Sequence, residues 1–174
     1  LGAGGAVFVQ YGATLTINGG AVSGGSVYGG AGVVGPNGPG YGSTAGSAFG
    51  SGIFLQGDEN LAFAPAAGQK TIISDVIADE AGSGGGGVAA TGKGSITLDG
   101  PGMLDLTANN TFTGGVTIKQ GTLELGVAGG VEGNVAFAPN GAGTLLFDAG
   151  FTYNYVKITS FDSTDSFDFA GFDP

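Results

Sequence analysis

Carboxylates near the C-terminal end are the side chains whose spacing comes closest to a recognisable chemistry. Asp162, Asp165 and Asp168 recur every third residue, and Asp173 follows them. Carboxylate oxygens at this density could hold Ca²⁺, which prefers oxygen ligands. The segment nevertheless lacks the spacing and the late glutamate of an EF-hand, and the chain has no tandem glycine–aspartate nonapeptides. Solvated negative charge is therefore the simpler interpretation, and Ca²⁺ binding by this tail is the alternative.

A second acidic group lies in the first half of the chain, at Asp75, Asp79 and Glu80. We interpret these carboxylates in the same way, as charges in solvent. The sequence contains no cysteine and no histidine, which excludes thiolate and imidazole metal sites. The sequence therefore predicts no metal site and no cofactor.

Catalysis is constrained by the same composition. A lyase needs a base and a cation that stabilises an enolate-like intermediate, and without arginine or histidine only four lysines or a bound metal could supply them. Paired carboxylates can hydrolyse glycosidic bonds, but here the carboxylates stand singly, on outward positions of different predicted strands or in the tail. We predict that the chain is not an enzyme and has no catalytic residue. A polysaccharide-degrading β-helix lyase or hydrolase is the alternative, by analogy of fold alone.

The net charge limits the classes of molecule that the chain can bind. The chain carries 14 acidic residues and a net charge of −10, which repels phosphate backbones and anionic lipid. No apolar run is long enough to span a bilayer. We therefore expect no nucleic-acid partner and no membrane insertion by this segment. No initiator methionine is present, so Leu1 is expected to be a processed or excised start.

The elements that would position these side chains are short strands, best seen in residues 107–126. Residues of one parity are apolar or small, and after Gly121 the apolar set moves to the other parity, with Thr122 and Glu124 facing outward. The predicted buried positions are Phe112, Gly114, Val116, Ile118, Leu123 and Leu125. Two such strands cannot bury their apolar faces alone, so we expect the unit to stack on similar neighbours.

Glycine-led strands recur along the second half of the chain, at Gly94, Gly102, Gly121 and Gly143. The intervals from Gly102 to Gly121 (19 residues) and from Gly121 to Gly143 (22 residues) indicate a coil of about 20 residues, which is typical of a β-solenoid. The chain would then make about eight coils, stacked as a rod of about 40 Å. We therefore predict an all-β, single rod-like β-solenoid over residues 1–174.

Other segments are assigned by composition. Residues 1–28 are predicted to form two or three short strands, with residues 21–22 and 26–28 as candidates for the third. Residues 70–79 are predicted to form one strand, with a helix as the weaker alternative. Residues 29–51 are rich in glycine and proline and are expected to be a surface loop excursion, with a binding loop as the alternative. Residues 155–174 are expected to be one strand and then an acidic, aromatic cap or tail, whose phenylalanines would cover the last coil.

An ice-binding solenoid would show stacked Thr-X-Thr rows. Thr14 with Thr16 and Thr111 with Thr113 are isolated examples. We therefore do not expect a flat, regular threonine array.

Residues 110–118 and 121–126 closely resemble the autotransporter-associated β-strand repeat, found in passenger domains of type V secretion proteins of Gram-negative bacteria. Phe112 stands where the repeat often has tyrosine, and Val116 where it often has threonine. One complete copy is present, and we expect the chain to be a passenger portion without the membrane-anchoring barrel of such polypeptides, or a released or repurposed one. The resemblance implies a right-handed parallel β-helix, export, and extracellular or surface display, often as an adhesin. It carries over no catalytic residue.

The expected function is therefore structural: a non-enzymatic adhesin stalk or surface fibre. Its expected partners are a host or bacterial surface ligand, or a second copy of itself. Because backbone donors and acceptors remain free at the two ends of a solenoid, identical chains could add end to end.

Overall fold

The computed structural model describes residues 2–33, 35, 43–83, 91–126, 128–152 and 156–171. All regular structure in these ranges is strand, so the all-β prediction is confirmed. The first nine strands are β1 (Gly2–Ala3), β2 (Val7–Val9), β3 (Leu15–Ile17), β4 (Gly20–Val22), β5 (Ala48–Phe49), β6 (Ile53–Leu55), β7 (Asn60–Phe63), β8 (Lys70–Ile73) and β9 (Ile77–Asp79). The remaining five are β10 (Ser95–Leu106), β11 (Val116–Leu125), β12 (Val135–Phe147), β13 (Ile158–Thr159) and β14 (Ser166–Phe169). The described residues include no helix able to cross a membrane.

Every strand pair in the described residues is parallel. One ladder joins β3, β7, the first parts of β10, β11 and β12, and then β13. A second ladder joins β4, β8, the second parts of the same three long strands, and then β14. A third ladder joins β2, β6 and β9, and β1 pairs with β5. The chain visits the three ladders in a fixed order, β2–β3–β4 and then β6–β7–β8, which is consistent with a β-solenoid.

The register repeats at the length that the glycine spacing indicated. Ile96 pairs with Val116, 20 positions later, and Val116 pairs with Val135, 19 positions later. The first and second ladders each contain six levels in the described residues, where the chain length suggested eight coils. The difference arises because two intervals are much longer than a coil of about 20 residues: Leu61 pairs with Leu15, 46 positions earlier, and with Ile96, 35 positions later.

The core consists of apolar side chains stacked level upon level along these ladders. Phe112, Val116, Ile118, Leu123 and Leu125 are each 2% exposed or less, as the alternation predicted. The prediction was wrong for Gly114, which is exposed, because it precedes the start of β11 and lies outside the alternating strand. The stack continues through the neighbouring levels with Leu61, Phe63, Ile73, Ile96, Leu98, Leu104, Leu106, Val135, Phe137 and Leu145. Burial of each such side chain is worth about 1.5–3 kcal/mol.

Long strands cross the corner between the first and second ladders without ending. The register shifts at this corner, between Ile118 and Gln120. Gly121 has a φ of 82°, and a Cβ there would lie 2.1 Å from the backbone oxygen of Gly100. Only glycine fits this close approach of two backbones.

Residues 70–79 do not form the single strand that their alternation predicted. They divide into β8 and β9, which belong to different ladders. Asp75 lies at the corner between them, where its two carboxylate oxygens accept the backbone N–H groups of Gly24 (3.1 Å) and Gly25 (2.7 Å). A side chain that satisfies turn backbone in this way competes with continued pairing.

The structure describes part of each of the two segments that the composition assigned, residues 29–51 and 155–174. Val33 N–H donates to Ser43 Oγ (3.2 Å), and Gly46 N–H donates to the carbonyl of Gly30 (2.8 Å), so the excursion returns close to where it leaves. Residues 34 and 36–42 lie outside the described residues. Near the C-terminal end, β13 and β14 extend the two ladders by one level. Of the two candidates for a third strand in the first segment, residues 21–22 lie in β4, whereas residues 26–28 form no strand.

Phenylalanines of the C-terminal segment pack against two phenylalanines of β12, Phe137 and Phe147. Phe161 and Phe167 contact Phe137 edge-on at 5.5 and 5.8 Å between ring centroids. Phe169 stacks on Phe147 at 5.3 Å. Residues 153–155 and 172–174 lie outside the described residues.

Candidate functional site

The acidic C-terminal segment forms a hydrogen-bonded turn. Asp162 Oδ1 accepts the backbone N–H (2.8 Å) and the hydroxyl (2.5 Å) of Thr164. These bonds, the hydroxyl bond first, lower the pKa of Asp162 below its ordinary value. Asp165 accepts the N–H groups of Asp162 (3.0 Å) and Gly143 (3.2 Å), which ties the turn to β12.

Asp168 is exposed on β14, and Asp173 lies outside the described residues. Nowhere in the described ranges do three acidic side chains come together in a group that could hold a metal ion.

Asp79 is not the solvated charge that the sequence indicated. It is fully buried, and its Oδ2 accepts both the N–H (2.6 Å) and the hydroxyl (2.8 Å) of Thr113. Its Oδ1 accepts the N–H of Gly82 (2.6 Å). The chain turns out of the third ladder here, and the carboxylate satisfies backbone donors that no strand pairs. Asp75 is likewise a half-buried partner of backbone donors, and Glu80 is half-buried.

Asn110 is a second buried polar group that the sequence analysis did not single out. Its Oδ1 accepts Ile77 N–H (2.9 Å), and its Nδ2 donates to the carbonyls of Ala108 (2.9 Å) and Gly130 (3.1 Å). One amide side chain thus joins three consecutive levels. The adjacent asparagines at 109 and 110 were the available signal, but nothing in the sequence distinguishes the buried one.

The closest grouping of opposite charges lies on the outer face of the second ladder. Lys70 Nζ lies 2.9 Å from Asp105 Oδ2 and 2.5 Å from Glu124 Oε2. The side chains of Asp105 and Glu124 are 8% and 10% exposed, whereas that of Lys70 is 40% exposed. Burial lowers the pKa of Lys70, but its hydrogen bonds with Glu124 and Asp105 and their negative charges outweigh burial, and the pKa lies above its ordinary value.

This cluster corrects the interpretation of Glu124 as a solvent-facing residue and of the carboxylates as standing singly. Asp105 and Glu124 pair directly across β10 and β11, so their side chains lie one level apart. Two carboxylates share one ammonium group, and Asp105 Oδ1 is buried without a hydrogen-bond donor. The three residues are far apart in sequence, and only the register of three parallel strands brings them together.

Two surface concavities accompany these features. A groove of about 320 Å³ runs beside the cluster and is lined by Gly68, Gln69, Lys70, Pro101, Gly102, Met103 and Thr122. A larger one of about 500 Å³ lies at the last level, between Phe147, Phe151, Val156 and Phe169. Beside the first groove, Lys70 engages both Asp105 and Glu124, and the larger concavity is lined by a single carboxylate, Asp148.

Comparison with known families gives one match. Residues 96–125 match the passenger-associated-transport-repeat (PATR). They run from β10 to the end of β11 and include the ion cluster's Asp105 and Glu124. Searches of curated proteins and of solved structures found no match. Such a repeat implies a secreted or surface location in a Gram-negative bacterium. The match at residues 96–125 is therefore consistent with the autotransporter passenger repeat that the resemblance predicted.

Proposed function

We propose that the chain is a non-enzymatic, extracellular structural segment of an autotransporter-like passenger, built as one right-handed parallel β-helix. The observation that carries this proposal is the continuity of the ladders through the passenger repeat. β10 pairs with β7 and β8 on one side of the repeat, and β11 pairs with β12 on the other. The repeat is thus an internal part of one parallel stack.

Such a segment would act mechanically, as a spacer that has a defined length and resists bending. Each level adds about 4.8 Å along the stack, so six levels span about 25 Å. Backbone hydrogen bonds between levels and the stacked apolar core resist bending, which suits a stalk. On a bacterial surface, the segment would carry or form a contact to a ligand on a host cell or another bacterium.

An in-register deletion tests the structural role. The chain would be displayed by fusion to a signal peptide and an outer-membrane barrel, with antibody binding and protease resistance measured on intact cells. Removing residues 116–134 deletes one level and brings Val135 to the position of Val116, so display and resistance should persist. Removing residues 116–125 breaks the register and should abolish both. Equal loss in the two variants would contradict the proposal.

The non-enzymatic part of the proposal has a separate test. Plant and bacterial polysaccharides incubated with the chain should show no new reducing or unsaturated ends. If such ends formed and were lost in Asp105→Asn, the enzyme alternative would replace this proposal.

End-to-end association into a fibre belongs to the same proposal. Within the described residues, the outer edges of β3, β4, β13 and β14 have no pairing strand. Phe8 at one end and Phe169 at the other are 48% and 57% exposed. Exposed edges and aromatic side chains favour addition of a second copy. Electron microscopy should show filaments that lengthen with concentration; monodisperse short rods would contradict this part.

A further inference from the structure

We propose that Lys70 and Asp105 are the site of an intramolecular amide (isopeptide) bond, formed after folding with Glu124 as the proton carrier. The bond would covalently join β8 to β10, two neighbouring levels of the second ladder. This inference does not depend on the passenger role.

Geometry brings the three reacting groups together before any reaction. The Lys70 nitrogen lies 2.9 Å from Asp105 Oδ2, and the same nitrogen lies 2.5 Å from Glu124 Oε2. The backbone holds this arrangement, because β10 pairs with β8 on one side and with β11 on the other. An amine fixed beside a carboxyl group reacts as if at a very high effective concentration.

Burial disfavours the ionic state of the cluster. Both carboxyl side chains are at least nine-tenths buried, and Asp105 Oδ1 has no hydrogen-bond donor. A buried charged oxygen without a partner is costly. Amide formation removes the charge on Asp105 together with that of Lys70, and the new amide N–H can donate to Glu124.

The reaction balances without an oxidant or other co-reactant. Glu124 takes one proton from the Lys70 ammonium and delivers it to an Asp105 oxygen, and the free amine then attacks Cγ of the neutral Asp105 carboxylic acid. Glu124 accepts a second proton from the nitrogen and delivers it to the same oxygen. The C–O bond breaks and water leaves, so the lysine ammonium and the aspartate carboxylate become one amide and one water. Glu124 ends ionised, as it began.

Glu124 is needed because the side chain of Lys70 is protonated. The two carboxylates favour the charged ammonium of Lys70, which is not nucleophilic. A free amine therefore arises by proton transfer inside the cluster. Glu124, at the shorter of the two distances, is placed to receive that proton.

A second ion pair provides an internal control. Lys119 Nζ also lies 2.9 Å from a carboxylate, Asp99 Oδ2. Both side chains are about half exposed, at 50% and 45%, and Asp99 is the one carboxylate that contacts Lys119 in the described residues. No bond is expected there, because water solvates both charges and no second carboxyl group carries protons.

The test is the intact mass of the purified, denatured chain. The mass should be lower than the sequence mass by one water. Digestion with a lysine-specific protease should fail to cut after Lys70 and should yield a branched peptide containing Asp105. Lys70→Arg and Glu124→Gln should restore the full mass, whereas Lys119→Arg should keep the loss of water.

Other outcomes overturn the proposal. Wild-type protein that keeps its full mass after prolonged incubation in the folded state rules out the bond, and this measurement needs no variant. A loss of water mapped to Lys119, or retained in Lys70→Arg, rules out the assigned site. Retention in Glu124→Gln rules out the proton-carrying role.

Discussion

Asp105 lies directly opposite Glu124 in the parallel pairing of β10 with β11, and both carboxylates contact the single ammonium group of Lys70. The cluster therefore spans three successive levels with one positive and two negative charges. Removing the positive charge should cost more than removing an ordinary surface lysine.

Lys70→Met should lower the free energy of unfolding by about 1–3 kcal/mol, because it leaves two buried carboxylates without their shared donor. Lys119→Met, which breaks the exposed pair with Asp99, should cost at most about 1 kcal/mol. Urea unfolding followed by circular dichroism measures both. If the two variants lose equal stability, the buried cluster has no special role.

Ile118→Asp should destabilise the protein by several kcal/mol, about 3–5, because Ile118 is fully buried and a carboxylate there would have no partner. Thr117→Asp, on the outer face of the same strand, should cost about 1 kcal/mol or less. The pair tests the strand parity directly by comparing midpoints of denaturant unfolding. Similar midpoints would contradict the assignment of the inner face.

Asn110→Ala should cost about 1–3 kcal/mol, because it leaves the buried Ile77 N–H without its acceptor inside the stack, whereas the Gly130 carbonyl keeps the backbone N–H of residue 110. Asn109→Ala is the matched control, because Asn109 is exposed. Hydrogen exchange should show faster exchange at Ile77 in the first variant alone. Unchanged protection of Ile77 would contradict the bridging role.

The Asp162 turn should open in acid. The pKa of Asp162 is lowered from 3.8 by the bonds from Thr164, so its contribution to stability is present above pH 3.8 and is lost as pH falls through the lower folded pKa. Thr164→Val should return the pKa toward 3.8, because it removes the hydroxyl donor. Carboxyl NMR titration measures both values. Identical titration in the two proteins would contradict the hydrogen-bonded turn.

Period-2 alternation was sufficient to predict which apolar side chains of the passenger repeat face inward, although it wrongly placed Gly114 among the buried positions. Ile118 and Leu123 are buried because apolar positions of one parity face one side of a strand, and this holds whatever the strand pairs with. The alternation did not predict that Glu124 would be 8% exposed. Parity tells which side a residue faces but not what lies over that side, and a partner as distant in sequence as Lys70 is brought in by register alone.

The corners, where the chain passes from one ladder to another, were harder to predict from the sequence. The alternation through residues 70–79 continues across the break between β8 and β9, so the pattern gave no sign that the chain changes ladder there. Asp75 and Asp79 were interpreted as solvated because acidic residues usually are. Both accept backbone N–H groups at turns, and that demand becomes visible only when the turns are seen.

The corner at Gly121 restricts how a chain of this kind can lengthen. Gly100 and Gly121 bring two backbones so close that no side chain fits between them. Gene duplication could add whole levels without disturbing their neighbours, provided that the copied unit includes its corner glycine. An inserted level with the apolar positions but with another residue in place of the corner glycine would place a side chain between the two backbones. Adjacent levels could then not pair along this edge, and the stack would end there.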